Sequence, residues 1–459
     1  MLLGEIFERF VEQSPTTVMV RGVLEKVLAP EKLDELFERT AKVQYTRELL
    51  FSAVVNLMSL VVCGIRPSVN AAYKAQAQEI GVSRTALYDK LNGTEPEVSA
   101  ELVRHTAFEL EPVVEQLGGQ LPNLLPGYRV KILDGNSLRT TEHRLEVLRS
   151  IRGGALPGKS LVVLDPALML AINVFPCEDG YAGERALLDQ VLTWVSSNDV
   201  WIADRNMCTR GFLFGIANRQ AYFVIRQHQG MSWEALEELH SVGKVETGEV
   251  FEQRVRLHHE AQELVVRRVL VRLVKPTRDG EREIAVFSNL PLQVADGKQV
   301  ARLYRERWSV ETLFQVVSET FECEIKTLGY PKAALFSFCM ALVAYNILSV
   351  VKAALRSVHG VGKIEAGLSD YYLAEEIQAT YRGMMIAIPP TEWIVFSQMT
   401  LTEFSSILQH LATQINLKVF CSAPRGPKKP PPERIHDQRQ CHVSTARLLA
   451  QAKSFKPHQ

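Results

Sequence analysis

The sequence predicts an α/β fold: a mixed sheet with flanking helices, preceded by an all-helical region and followed by a second helical one. Three observations point to it. Up to about residue 125 the apolar side chains recur at helical spacing, as in PEKLDELFERTAKV and VSAELVRHTAFELEPVVEQLG. From Pro126 the pattern changes to short β-branched runs bounded by turn residues, some of them separated by helical stretches. After Gly297 the helical period returns. The chain has 459 residues, 46% apolar and 23% charged, which suits several domains around a large core and excludes a disordered chain. Lys plus Arg and Asp plus Glu each number 52, so the net charge is zero. That balance says little about a nucleic-acid partner, because binding depends on where charge lies.

The elements follow in order. The opening MLLGEIFERFVEQSP reads as an amphipathic helix without the basic start and apolar run of a signal peptide. Residues 49–65 and 333–355 are apolar enough to resemble membrane spans. The first is short and holds Ser52, Asn56 and Ser59; the second holds Asn346 and Lys352, so both are expected as buried core helices and no membrane partner is expected. SVNAAYKAQAQEIGVSRTALYDKLNG parses as a helix through Ile80, a turn at Gly81, and a second helix capped by Ser83 and ended at Asn92-Gly93. Arg84, Thr85, Tyr88 and Lys90 would stand where a recognition helix meets bases and phosphates; a plain structural hairpin has the same pattern.

YRVKILDGN, KSLVVLDP, ALMLAINVF, DVWIADRN and AYFVIRQ are the expected core strands, with helices in GERALLDQVLTWVS and MCTRGFLFGIANR. GEVFEQRVRLHH, QELVVRRVLVRLV and REIAVFSNL, parted by turns such as Thr277-Arg278-Asp279-Gly280, read as an antiparallel β-rich insertion. From Pro424 the chain reads as a basic tail, expected to be flexible, in which Arg425, Lys428, Lys429, Arg434, Arg439, Arg447, Lys453 and Lys456 are opposed only by Glu433 and Asp437. It would either meet DNA or keep the terminus soluble. The domain reading is 1–125 helical, 126–229 the first part of the core, 230–296 the β-rich insertion, 297–358 the second part of the core, 359–423 helical, and 424–459 the tail. The seven cysteines include no C-x-x-C pair, which fits free thiols in a reducing cytoplasm.

Three acids carry the candidate chemistry. Asp134 and Asp204 each end an apolar run, Val130-Lys131-Ile132-Leu133 and Val200-Trp201-Ile202-Ala203, where open α/β sheets place ligands. Alone, an Asp at a strand end is more often a turn residue or a helix cap. Residues 299–328 contain no Gly or Pro, so one long helix is expected there. At about 100° per residue Tyr304, Arg307 and Glu311 share a face of it. Leu303, Val310, Leu313, Val317 and Phe321 form a neighbouring stripe to bury against the sheet. Three converging carboxylates suit hard divalent cations, Mg²⁺ or Mn²⁺, and a two-metal site can run an in-line phosphoryl displacement. Tyr304 and Arg307 would contact phosphate. The bland alternative is an amphipathic helix whose Glu and Arg pair in solvent. Asp165, before Pro166, reads as a turn residue; His258-His259 lack metal spacing; Arg144, Arg149, Arg152 and Lys159 around Gly153-Gly154 form either a DNA-holding or a solvated loop.

Tyr304-x2-Arg307-x3-Glu311 resembles the Y-R-E-K signature of the insertion-sequence-four family of DDE transposases, and Asp134 in ILDGN and Asp204 in IADRN resemble that family's two aspartates. The resemblance implies a ribonuclease H-like core that cuts and rejoins DNA, with Asp134, Asp204 and Glu311 holding the metals. Asp134 and Asp204 lie 70 residues apart and Glu311 follows 107 later, which agrees with a β-rich insertion of the kind the family places there. It also implies double-stranded DNA with terminal inverted repeats and target DNA as partners, a dimer on DNA, and a bacterial cytoplasmic, nucleoid-associated location. Family members can stack a flipped base on an insertion-domain aromatic, for which Trp233 is a candidate beside a core or surface role. The chain departs from the signature at the final Lys, where it has Ser318; Lys326 is the next basic residue on the expected helix. Two other readings stay open: a non-catalytic DNA-binding protein of transposase descent, and a metal-dependent nuclease without strand transfer.

Overall fold

The computed structural model describes residues 3–44, 48–138, 158–277, 280–421 and 444–454. Arg144, Arg149, Arg152, Arg278, Asp279 and most of the basic tail lie outside the described residues. The amino-terminal region is helical: α1 (Glu8–Gln13), α2 (Pro15–Val27), α3 (Pro30–Thr40), α4 (Phe51–Val62), α5 (Val69–Ile80), α6 (Arg84–Gly93) and α7 (Pro96–Leu117). Pro15, Pro30 and Pro96 start their helices, where a missing N–H costs nothing. Ser68 and Ser83 cap α5 and α6 through their hydroxyls, and Gly81, at φ +69°, takes the left-handed turn between them. Leu87 and Leu91 bury one face of α6, leaving Arg84 and Thr85 exposed at its start.

The strands are β1 (Arg129–Leu138), β2 (Gly158–Asp165), β3 (Leu170–Cys177), β4 (Asp199–Ala203), β5 (Tyr222–Arg226), β6 (Glu234–Ala235), β7 (His240–Val245), β8 (Gly248–His259), β9 (Gln262–Leu273) and β10 (Glu283–Ser288). Among the described residues they form one mixed sheet, ordered β3-β2-β1-β4-β5-β10-β9-β8-β6, with β7 paired to β8. β1, β4 and β5 are parallel; at one edge β2 runs antiparallel to β1, and β3 antiparallel to β2. β10 pairs antiparallel with β5, so the β-rich block continues the core sheet. The helices α8 (Leu188–Leu192) and α9 (Arg210–Asn218) connect the core strands.

The carboxyl half follows as α10 (Gly297–Arg305), α11 (Trp308–Glu319), α12 (Pro331–His359), α13 (Val361–Gly367), α14 (Asp370–Ala387), α15 (Pro390–Gln398), α16 (Leu401–Gln414) and α17 (Thr445–Ser454). The most apolar stretch of α12 is buried throughout. Two of its polar residues bond to backbone elsewhere in the protein. Asn346 donates to and accepts from the backbone of Ala171 on β3, at 3.0 and 2.7 Å, and Arg356 donates to the Gly119 carbonyl at 2.7 Å. This is how a core helix accommodates polar groups.

Several expectations are corrected. The helix expected over 299–328 is two helices. At Glu306 and Arg307 the backbone bonds shorten to i→i−3, Glu306 to Leu303 and Arg307 to Tyr304, and α11 starts afresh at Trp308. It ends at Glu319 because Phe321, Cys323 and Ile325 turn inward at alternate positions, while Glu322 N–H bonds to the Val62 carbonyl of α4. Lys326 therefore lies in a turn beyond the helix. Asp134 does not end its strand: β4 stops at Ala203, but β1 continues against β2 to Leu138. Part of the expected tail, TARLLAQAKS, is the helix α17, in keeping with its Ala, Leu, Arg and Gln content.

Candidate active site

Leu133 and Ala203 are register partners on the parallel strands β1 and β4, so the next residues, Asp134 and Asp204, stand side by side where β4 ends. Asp134 Oδ1 accepts from Gly135 N–H at 2.8 Å. Asp204 Oδ1 accepts from Asn206 N–H at 2.7 Å, so it also caps the short 3₁₀ turn Arg205–Met207. The structural role weighed for a strand-end Asp is therefore real and coexists with its position beside Asp134.

The helices bring up the third acid. Val300 and Leu303 of α10, then Val310, Leu313 and Val317 of α11, are buried, which fixes both helices on the core. At the junction between them Arg307 reaches back to the sheet. Its Nη1 donates to Asp134 Oδ2 at 2.7 Å and its Nη2 to Glu311 Oε1 at 2.5 Å. The Arg307 and Asp134 side chains are 13% and 17% exposed, whereas Glu311 is 54% exposed. Arg307 Nε is buried with no hydrogen-bond partner. Tyr304 is partly buried nearby, and burial raises its phenol above the ordinary tyrosine value, keeping it a proton donor. Burial likewise pushes the Asp134 carboxyl up to about 6, against the pull of Arg307, with Asp204 and Glu311 adding like-charge repulsion.

Sequence reasoning did not assign several neighbours. Arg226 ends β5 as Ala203 ends β4, and the same strand-end argument reaches it. Glu281 pairs with both Arg226 and Arg205, the latter at 3.1 Å. Trp308, 59% exposed, follows Arg307 directly. Arg226, Glu281, Tyr304, Arg307, Trp308 and Glu311 line a cleft of ≈ 790 Å³ between the β9–β10 hairpin and the two helices. Glu184 is a further carboxylate here: it accepts from Asn206 Nδ2 at 3.0 Å and lies against Gly135, where an added Cβ would meet its Oε1 at 2.3 Å.

The remaining candidates are elsewhere. Lys326 is exposed beyond α11, and Ser318 is exposed with its hydroxyl bonded back to the Gln315 carbonyl at 3.2 Å. Trp233 is half-buried beneath the Arg268 guanidinium, 5.0 Å from its ring, and does not line the cleft. Arg84 stands at the start of α6 in the amino-terminal helices. Asp165 pairs with Arg129 at 3.0 Å and accepts from the N–H groups of Ala167 and Leu168, as a turn residue does. His258 sits between Glu234 and Glu263.

Carboxylate oxygens are the donors that Mg²⁺ and Mn²⁺ take, so the residue types fit a divalent cation. Among the described residues, however, no three His, Cys, Asp or Glu side chains are gathered closely enough to hold one. The guanidinium of Arg307 stands between two of the three acids instead.

Residues 125–347 match the family model described as "Transposase DDE domain". No curated protein matches the chain. Among solved structures, a piggyBac transposase synaptic complex with hairpin DNA aligns over 84% of each chain at 11% identity, with a TM-score of 0.36. The matched residues span all three acids and the parallel core strands, and transposases of this kind generally use divalent metal ions. Residues 125–347 are thus similar to a transposase DDE domain, and the function is that of a transposase, an enzyme that cleaves and transfers DNA strands.

Proposed function

We propose that Asp134, Asp204 and Glu311 are the catalytic acids of a transposase of the Y-R-E-K type, acting at the ends of a bacterial insertion sequence. The observation that carries this reading is the register of Leu133 with Ala203, which sets the two aspartates side by side, together with Arg307, which links Asp134 to Glu311. A ribonuclease H-like core, interrupted by a β-rich insertion, is supported by the strand order β3-β2-β1-β4-β5 with β1, β4 and β5 parallel.

The three acids would hold Mg²⁺, for which Mn²⁺ substitutes, as a two-metal site; such ions activate the attacking oxygen and stabilise the leaving one. The chain's own groups do the rest. Arg307 presents a planar fork to a phosphate. Tyr304, kept protonated by burial, donates to a phosphate oxygen. Asp204 holds the Arg205–Met207 turn that carries Asn206, and Glu184 braces that turn against Gly135. The partners of this reading are double-stranded DNA with terminal inverted repeats and target DNA. Two protein copies meet at the paired ends, in the cytoplasm at the nucleoid. Arg84 on α6 and Lys326 contribute DNA contacts away from the cleft.

The test is strand cleavage of a duplex carrying the element's flanking repeats. Asp134→Asn, Asp204→Asn or Glu311→Gln is expected to retain DNA binding and to lose at least about 100-fold of Mg²⁺-dependent cleavage. Cleavage at the unmodified rate by any of the three would remove that residue from the set.

A further inference from the structure

We propose that Arg307 is a resident counterion of the DNA-free protein: its guanidinium holds Asp134 and Glu311 where a divalent cation would sit, and must leave before metal can bind. The inference rests on the metal reading of the three acids given above. Its basis is geometric. One planar group donates to Asp134 Oδ2 at 2.7 Å and to Glu311 Oε1 at 2.5 Å, so oxygens needed as metal ligands are already engaged by a cation. The same group is largely enclosed, at 13% exposure, and is seated at a helix junction by the i→i−3 turn of Glu306 and Arg307. Thermal fluctuation of a solvated side chain does not describe it.

The seat is also incomplete. Arg307 Nε is buried without an acceptor, so the guanidinium satisfies only part of its donor fork here. A DNA phosphate entering the ≈ 790 Å³ cleft, which Arg307 lines, offers oxygens on more than one edge. Moving Arg307 onto that phosphate frees both carboxylates in one step. DNA and metal binding are then coupled through a single side chain, and by linkage each tightens the other. The protein would carry an acid pair bridged by one cation until its substrate arrives.

The experiment titrates Mn²⁺ into the full-length, DNA-free protein, reading free Mn²⁺ by electron paramagnetic resonance. The proteins are the wild type, Arg307→Gln and Arg307→Lys, each with and without Asp134→Asn to assign the binding site. Melting curves confirm that each is folded. Lys keeps the positive charge but cannot bridge two carboxylates as the fork does. Asp134-dependent Mn²⁺ binding is expected to tighten about tenfold or more in Arg307→Gln and several-fold in Arg307→Lys. Equal affinity in wild type and Arg307→Lys, with tightening only in Arg307→Gln, would assign the effect to charge alone and overturn the bridging role. Arg307→Gln binding no more tightly than wild type also overturns it, and leaves the metal reading intact. Absence of Asp134-dependent binding in every protein would remove the metal reading, and this inference with it.

Discussion

Asp134 pays for its position with a protonation equilibrium that differs between the folded and unfolded chain. Its carboxyl is raised from the ordinary 3.8 to about 6, mainly by burial. A raised acid binds its proton more tightly in the folded state, so its stabilising contribution is full below about pH 3.8 and is lost as pH rises through about 6. Asp134→Asn, which mimics the neutral form, should therefore stabilise the metal-free protein by about 2–3 kcal/mol near pH 8 and bring little near pH 4. Thermal melts in a chelator at the two pH values check this; a gain independent of pH would refute the assignment. Gly135 supplies a second residue-scale test. A methyl group there meets the end of the flexible Glu184 side chain, so Gly135→Ala should cost little stability while displacing Glu184 from Asn206. Strand-cleavage assays should show reduced activity, matched by Glu184→Ala alone and not lowered further when the two are combined. Neither neighbour was legible in the sequence, because Glu184 and Gly135 meet only through the fold.

Among elements, β1 and β4 are tied beneath the site by a buried ion pair. Lys131 Nζ lies 2.7 Å from Asp199 Oδ2, both are almost fully buried, and Asp199 also accepts from Ser196 N–H. Burial lowers the Lys131 ammonium, and Asp199 works against that shift. Lys131→Met leaves a buried carboxylate unpaired and should cost roughly 3–5 kcal/mol, much of it recovered by adding Asp199→Asn. Urea denaturation of the single and double variants measures the difference. The strands themselves were readable, since β-branched runs such as VKIL and VWIA specify buried parallel strands. The break between α10 and α11 was not. No Gly or Pro marks Glu306-Arg307, and the tightened turn there accompanies the reach of Arg307 to a strand 173 residues earlier. Local propensity has no access to that contact.

For the whole molecule, α12 is the central support, packing against amino-terminal helices and the sheet edge alike. Asn346 shows what its polar residues do. Asn346→Leu would leave both backbone groups of Ala171 without the partners they have now and should cost about 1–3 kcal/mol, measurable by denaturant titration. The sequence flagged Asn346 as out of place in a membrane span, yet its partner could come only from the folded sheet. The three candidate acids were likewise legible as residues in context, whereas Arg226 and Glu281 gained significance only from the shared cleft. The pairing of β5 with β10 has a mechanical consequence. Because hydrogen bonds run unbroken from the strand beside Asp204 into the long β8–β9 hairpin, that hairpin cannot swing as a free flap. Any force a bound double helix exerts on its outer strands passes along the ladder as twist and arrives at the floor beneath the carboxylates.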